Sequence, residues 1–143
     1  MIRTTIRGLF GIALLGAGMT ISGGVATAAA MEEHVTIPSS AQGIWRAIDG
    51  HMHQLQDLVT KGTLKSVHLH AFAVRDLVRG LSSHSPMLAA AAMAQVNTQS
   101  KFVDTLADRL DQSGDANDKA GTQQNLTKLQ GVLKGIRSHY PAL

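Results

Sequence analysis

Four segments of the chain carry apolar residues at intervals of three and four positions, the spacing of one face of an α-helix. The first stripe has a histidine at its centre and contains Ile44, Ile48, His51, Leu55 and Leu58. The second contains Leu64, Val67, Ala71, Val74, Val78 and Leu81. The third contains Leu88, Ala92, Gln95, Gln99, Phe102, Leu106 and Leu110, and the fourth contains Thr122, Leu126, Leu129, Leu133, Ile136 and Tyr140. No segment alternates as a strand would, so the pattern predicts an all-α fold.

Helix-start signals support the same division of the chain. Ser39 or Ser40 can cap the first helix, and Ser85-Pro86 places a cap and then a proline at the start of the third. Only short polar connections separate the stripes, which favours neighbours that run in opposite directions. We therefore expect an antiparallel up-down-up-down four-helix bundle over residues 39–143.

The N-terminal segment, residues 1–30, has the pattern of a secretory signal peptide. Two arginines precede an apolar run at residues 9–21, and small residues follow it. Cleavage after Ala28 or Ala30 fits the pattern, and we take Ala30. The run is short for a membrane span, which needs roughly 20 apolar residues. We expect an exported, periplasmic chain with no membrane span after cleavage, entering its bundle through an extended lead-in at residues 31–38.

Charge and cysteine content exclude several classes of function. The net charge of +3 falls to +1 when the signal peptide, with its two arginines and no acidic residue, is removed. The mature chain therefore lacks the basic character that nucleic-acid binding requires. Because the chain has no cysteine, it can form no disulfide, thiolate metal site or c-type haem attachment. Any metal must be bound by His, Met, Asp, Glu or a backbone oxygen.

Four of the seven histidines form two His-x-His pairs, His51 with His53 and His68 with His70. Helical residues two apart diverge by about 200°, so neither pair can hold one metal ion from a single helix. If the first connection is centred near Gly62, however, antiparallel pairing brings all four histidines into one band across two helices. The pattern thus predicts a site shared between helices.

The third and fourth helices add candidates to this band. Gln95 is expected at the same height, and His139 near the level of His51. The predicted metal ligands are His51, His70, His53, His68 and His139, with His53 and His68 secondary. Neutral imidazole suits zinc, copper, nickel and cobalt. A simpler alternative is that His51 is a core histidine hydrogen-bonded to Gln95, with no metal involved.

The aspartate-rich segment DQSGDANDKAG, which begins at Asp111, raises the question of calcium binding. It lacks the glycine at the sixth position and the glutamate at the twelfth position of a calcium-binding loop. We therefore interpret it as a solvated turn between the third and fourth helices.

In two stretches, VHLHAFAVRDLV and LADRLDQSGDANDKAGTQQNLTKL, the chain resembles small exported helical-bundle proteins of bacteria that occur with heavy-metal resistance and efflux systems. The resemblance spans most of the mature chain and carries no ligand assignment. It implies periplasmic capture, sensing or delivery of a metal, with an efflux or sensor protein as partner.

The expected architecture also resembles cytochrome b562-like bundles, in which a methionine of the first helix and a histidine near the end of the fourth hold a haem. Met52 or His51 with His139 would be the positional match. The family's methionine lies nearer the start of its helix, however, and the stripes show no haem-sized gap. A cofactor-free interaction module is a further alternative. No cluster of inward carboxylates and no Ser-His-Asp arrangement is predicted, so we expect a non-catalytic protein.

Overall fold

The computed structural model describes residues 35–140, which contain four α-helices and no strand. The helices are α1 (Ala41–Lys61), α2 (Val67–Leu81), α3 (Ala90–Asp115) and α4 (Lys119–Arg137). Short 3-10 helices lie at Leu64–Ser66 and Ser82–His84. The predicted all-α class is confirmed, whereas the proposed signal peptide lies outside the described residues.

Local side-chain chemistry explains several helix ends. Ser40 caps α1, its hydroxyl oxygen accepting a hydrogen bond of 3.1 Å from the Gly43 amide. Asp118 caps α4 in the same way, through a 2.9 Å bond from the Gly121 amide. Gly62 ends α1 with a φ of 76°, a left-handed conformation that glycine adopts without a Cβ clash.

The stripes of α2 and α4 are buried at every predicted position, but the core face of α1 is rotated relative to the prediction. Its buried residues are Ile44, Trp45, Ile48, Met52, Leu55 and Val59. His51 and Leu58 are only half-buried. Two overlapping stripes exist in this sequence, and the one containing Trp45, Met52 and Val59 buries more apolar side chain. Met52, not His51, therefore points into the core.

The start and the buried face of α3 also differ from the prediction. The helix begins at Ala90, not directly after Pro86. The Ser85 hydroxyl instead donates a 2.6 Å hydrogen bond to the Leu81 carbonyl and lies 3.1 Å from the Tyr140 hydroxyl. The buried positions are Val96, Val103, Leu106, Ala107, Leu110 and Gly114.

Gln95 and Phe102 are consequently exposed, and Gln95 does not lie on the core face of α3 as expected. The first turns of α3 are rich in alanine, which gives little preference for one face. The three larger residues Val96, Val103 and Leu110, spaced seven apart, decide which face is buried.

Packing is extensive between α1 and α2, α2 and α3, and α3 and α4, and is thinner between α1 and α4. Polar contacts add to the packing between α1 and α4. Arg137 forms a two-pronged bond to Asp49, at 3.0 and 2.7 Å, and lies 4.5 Å over the Trp45 ring. Among residues 35–140 no helix combines the length and the apolar character needed to cross a bilayer.

Candidate metal-binding sites

His51 of α1 and His70 of α2 lie in direct contact, as the cross-helix prediction requires. Their Nδ1 atoms are 2.9 Å apart, their ring centroids are 5.2 Å apart, and the ring planes are tilted by 44°. Both residues are half-buried at the edge of the α1–α2 interface. One Nδ1 must carry the proton and the other accept it, since a neutral imidazole has one donor and one acceptor nitrogen.

Buried neighbours on each helix hold this pair at the edge of the core. His51 directly precedes Met52, and His70 directly precedes Ala71, which is fully buried. Each imidazole thus projects about 100° away from a core residue on its own helix. The left-handed Gly62 turn between α1 and the following 3-10 helix returns the chain so that the two positions meet.

The spacing of the two nitrogens is close to that of a metal chelate. Two imidazole nitrogens bound at about 2.05 Å to a tetrahedral ion would be about 3.4 Å apart. The observed 2.9 Å separation would have to widen by about 0.5 Å, within reach of small side-chain rotations. Among residues 35–140, no third His, Asp or Glu places a ligand atom within 4.8 Å of both. Within the described part of the chain, the pair therefore supplies two ligand nitrogens to one ion.

The structure does not bring the remaining predicted ligands to this pair. His53 is exposed on α1, and its imidazole makes no hydrogen bond or ion pair within the described part of the chain. His139 is half-buried just beyond α4, and it belongs to no metal-ligand group of three within residues 35–140. Of the five predicted ligands, His51 and His70 are therefore the two that lie in contact with each other.

His68 has different neighbours from those expected. It lies at the start of α2, with Nδ1 2.8 Å from the Lys65 carbonyl. Its side chain lies close to two carboxylates of α3, those of Asp111 and Asp115. Each of the three residues offers one ligand atom, and these three atoms lie within 4.8 Å of one another. The expectation that the segment from Asp111 is a turn is wrong for its first half, because α3 continues through Asp115. The two carboxylates are therefore one helical turn apart and share a face, and their spacing of four residues was the signal that could have identified them.

Gly114 allows the end of α3 to approach the start of α2 so closely. A Cβ at this position would lie 2.7 Å from the Leu64 carbonyl oxygen and 3.5 Å from the Val67 Cβ. Any residue larger than glycine would push the two segments apart. The position of Asp111 and Asp115 beside His68 thus depends on one glycine between them.

A groove of about 230 Å³ runs between α1 and α4, where the helix packing is thinner. The residues that line it include Trp45, Ile48, Met52, Leu133 and Arg137. The Trp45 Nε1 atom is buried and has no hydrogen-bond partner within residues 35–140. The volume is below the range of about 300–1,000 Å³ for typical small-molecule pockets.

The α2–α3 interface carries a separate group of charges. A 2.9 Å hydrogen bond from Arg75 Nε to Asp76 raises the pKa of Arg75, and burial opposes this effect only in part. The same guanidinium lies 4.5 Å over the Phe72 ring, and Arg79 bonds to Asp104 of α3 at 2.9 Å. The bond between Arg79 and Asp104 links α2 to α3.

No protein-family model, curated protein or solved structure matches this chain. The described residues define it as an all-α protein of four helices with two separate clusters of potential metal ligands.

Proposed function

We propose that this chain is an exported, non-catalytic metal-binding protein that captures, senses or delivers a divalent transition metal through His51 and His70. The observation that carries the proposal is the 2.9 Å approach of two Nδ1 atoms from different helices. In the proposed mature form, residues 1–30 have been removed as a signal peptide and the protein acts in the periplasm.

The bundle in this proposal has the antiparallel up-down-up-down topology. Two contacts between α1 and α4 support it. Asp49, in the first half of α1, bonds to Arg137 at the end of α4, while the Thr60 carbonyl near the end of α1 accepts a 3.3 Å bond from Lys119 at the start of α4. Such an exchange of ends is expected when the two helices run in opposite directions.

Two imidazole ligands favour reversible binding over permanent structural binding. A structural zinc site uses four protein ligands, whereas a site with fewer leaves positions for water or for a ligand from another molecule. Zinc, copper(II), nickel and cobalt are the ions that imidazole nitrogen prefers. Because His53 and His139 stand apart from the pair, the primary coordination is assigned to His51 and His70.

Titration of the purified mature protein with each of these four ions tests the proposal. His51→Ala and His70→Ala should each weaken binding by at least tenfold, because a single imidazole cannot chelate. His53→Ala, which removes an exposed histidine of the same helix, is the matched control and should leave the affinity unchanged. Binding should also weaken below about pH 6, where imidazoles are protonated. A dissociation constant above about 1 mM would contradict the assignment, and so would an affinity that is unchanged when His51→Ala and His70→Ala are combined.

A cofactor-free interaction module is the second candidate function. Three large apolar side chains support it by their exposure: Leu69 at 40%, Phe102 at 57% and Met87 at 95%. Capture of a periplasmic partner that is lost in Phe102→Ser and indifferent to His51→Ala would favour this function. Haem has less support, because the α1–α4 groove beside Met52 is small. A Soret shift on haem addition that His139→Ala abolishes would reverse that judgement.

A further inference from the structure

We propose that His68, Asp111 and Asp115 form a second metal site, chemically distinct from the His51–His70 pair, which joins the start of α2 to the end of α3. The three side chains come from two helices that are far apart in sequence, yet one ligand atom of each lies within 4.8 Å of the other two. Two of the residues are half-buried and Asp115 is exposed, so an ion could enter from solvent.

His68 makes a backbone contact of the kind that metal-binding histidines make. Its Nδ1 lies 2.8 Å from the Lys65 carbonyl oxygen, which can only accept a hydrogen bond, so Nδ1 carries the proton. The lone pair of the neutral ring is therefore on Nε2. A backbone carbonyl that fixes the tautomer in this way is the usual outer partner of a metal-ligating histidine. This contact does not involve the carboxylates and is independent of them.

The space between the three ligand atoms suits a divalent ion. Three atoms that lie within 4.8 Å of one another always share a point no more than about 2.8 Å from each, against about 2.0–2.2 Å for zinc–nitrogen and zinc–oxygen bonds. A contraction of at most about 0.7 Å per ligand would complete the bonds. No hydrogen bond or ion pair within residues 35–140 links any two of these three side chains.

The charges around the cluster favour a cation. Asp111 and Asp115 are like charges one turn apart, which destabilises a helix. They also occupy the last turn of α3, where the helix dipole is negative, and that turn contains no basic residue. Neither carboxylate forms an ion pair with a described residue, and Lys119 reaches the Thr60 carbonyl instead. A bound cation would relieve both the mutual repulsion and the interaction with the dipole.

The ligand set selects a class of ion different from that of a histidine pair. Carboxylates suit harder ions such as manganese, while imidazole suits zinc and cobalt, so one imidazole with two carboxylates fits Mn²⁺, Co²⁺ or Zn²⁺. Copper would prefer the all-nitrogen pair of His51 and His70. The two sites should therefore be separable by the choice of metal as well as by mutation.

Paramagnetic Mn²⁺ added to ¹⁵N-labelled mature protein tests the second site directly. We expect amide signals near His68 and at residues 111–115 to broaden first. The broadening should disappear in Asp111→Asn with Asp115→Asn, and in His68→Asn, whose amide can still donate to the Lys65 carbonyl. It should persist in His51→Ala with His70→Ala, so failure at one site is distinguishable from failure at the other. Asp108→Asn, an exposed aspartate of the same helix, is the matched control.

The thermal midpoint supplies a second measurement that does not depend on loss of a signal. Without metal, the Asp111→Asn, Asp115→Asn double variant should melt higher than the wild type, because the repulsion is gone. With saturating Mn²⁺ the wild type should gain stability and the double variant should not. Uniform broadening across the protein, or broadening near His68 that is equal in the double variant and the wild type, would overturn the proposal.

Discussion

Replacing Gly114 with alanine tests the close approach of α3 to the start of α2. At an exposed helical position such as Gly131, where an added Cβ would meet nothing within 4 Å, Gly→Ala should stabilise the protein by about 0.5–1 kcal/mol. Gly114→Ala receives the same helical gain but places its Cβ 2.7 Å from the Leu64 carbonyl oxygen. Overpacking of this kind costs about 1–3 kcal/mol. The free energies of unfolding of the two variants should therefore differ by about 2 kcal/mol.

Urea denaturation followed by circular dichroism at 222 nm measures this difference. Both variants should keep the same slope with denaturant, so that the shift in midpoint reports stability alone. Gly114→Ala should also weaken Mn²⁺ binding at His68, because the carboxylates move away, whereas Gly131→Ala should not. Equal stability of the two variants would refute the close approach and remove the structural basis of the second site.

Two further substitutions examine α1. Met52→Ala should lower the free energy of unfolding by about 2–5 kcal/mol because it leaves a cavity, and His51→Ala should lower it clearly less because His51 is only half-buried. Chemical denaturation of both variants checks this order. The reverse order would place His51 on the core face. Arg137→Gln should lower the free energy of unfolding by no more than about 1 kcal/mol, since the ion pair of Arg137 with Asp49 is partly exposed. It should also change the fluorescence of Trp45, because the Arg137 guanidinium lies over the indole ring. An unchanged emission spectrum would argue against that stacking.

The helices whose buried faces could be predicted are those with one dominant apolar stripe. In α2 and α4, larger apolar residues recur along one face at intervals of three and four positions, so spacing alone identified the core stripe. In α1 two stripes overlap, and spacing alone does not reveal that the bulk of Trp45 favours burial of Met52 over His51. In α3 the alanine-rich start left the rotation open, and Gln95 was assigned to the wrong face.

The same reasons explain which parts of the candidate sites could be predicted. The meeting of His51 with His70 follows from helix periodicity and a turn at Gly62, both of which are local features. The group of His68, Asp111 and Asp115 requires two non-local facts, namely that α3 extends through Asp115 and that Gly114 admits the Leu64 carbonyl. Neither follows from the periodicity of a single segment.

The most direct test of metal binding at the histidine pair is a long-range ¹H–¹⁵N spectrum of the imidazole rings with and without zinc. We predict that Nδ1 of both His51 and His70 shifts to the metal-bound range and that Nε2 of both rings carries the proton, because the Nδ1 atoms face each other at 2.9 Å. The ring that holds its proton on Nδ1 without metal must therefore change tautomer when zinc binds. The ring nitrogens of His53 should not change. Persistence of a proton on either facing Nδ1 under saturating zinc would contradict the proposed function.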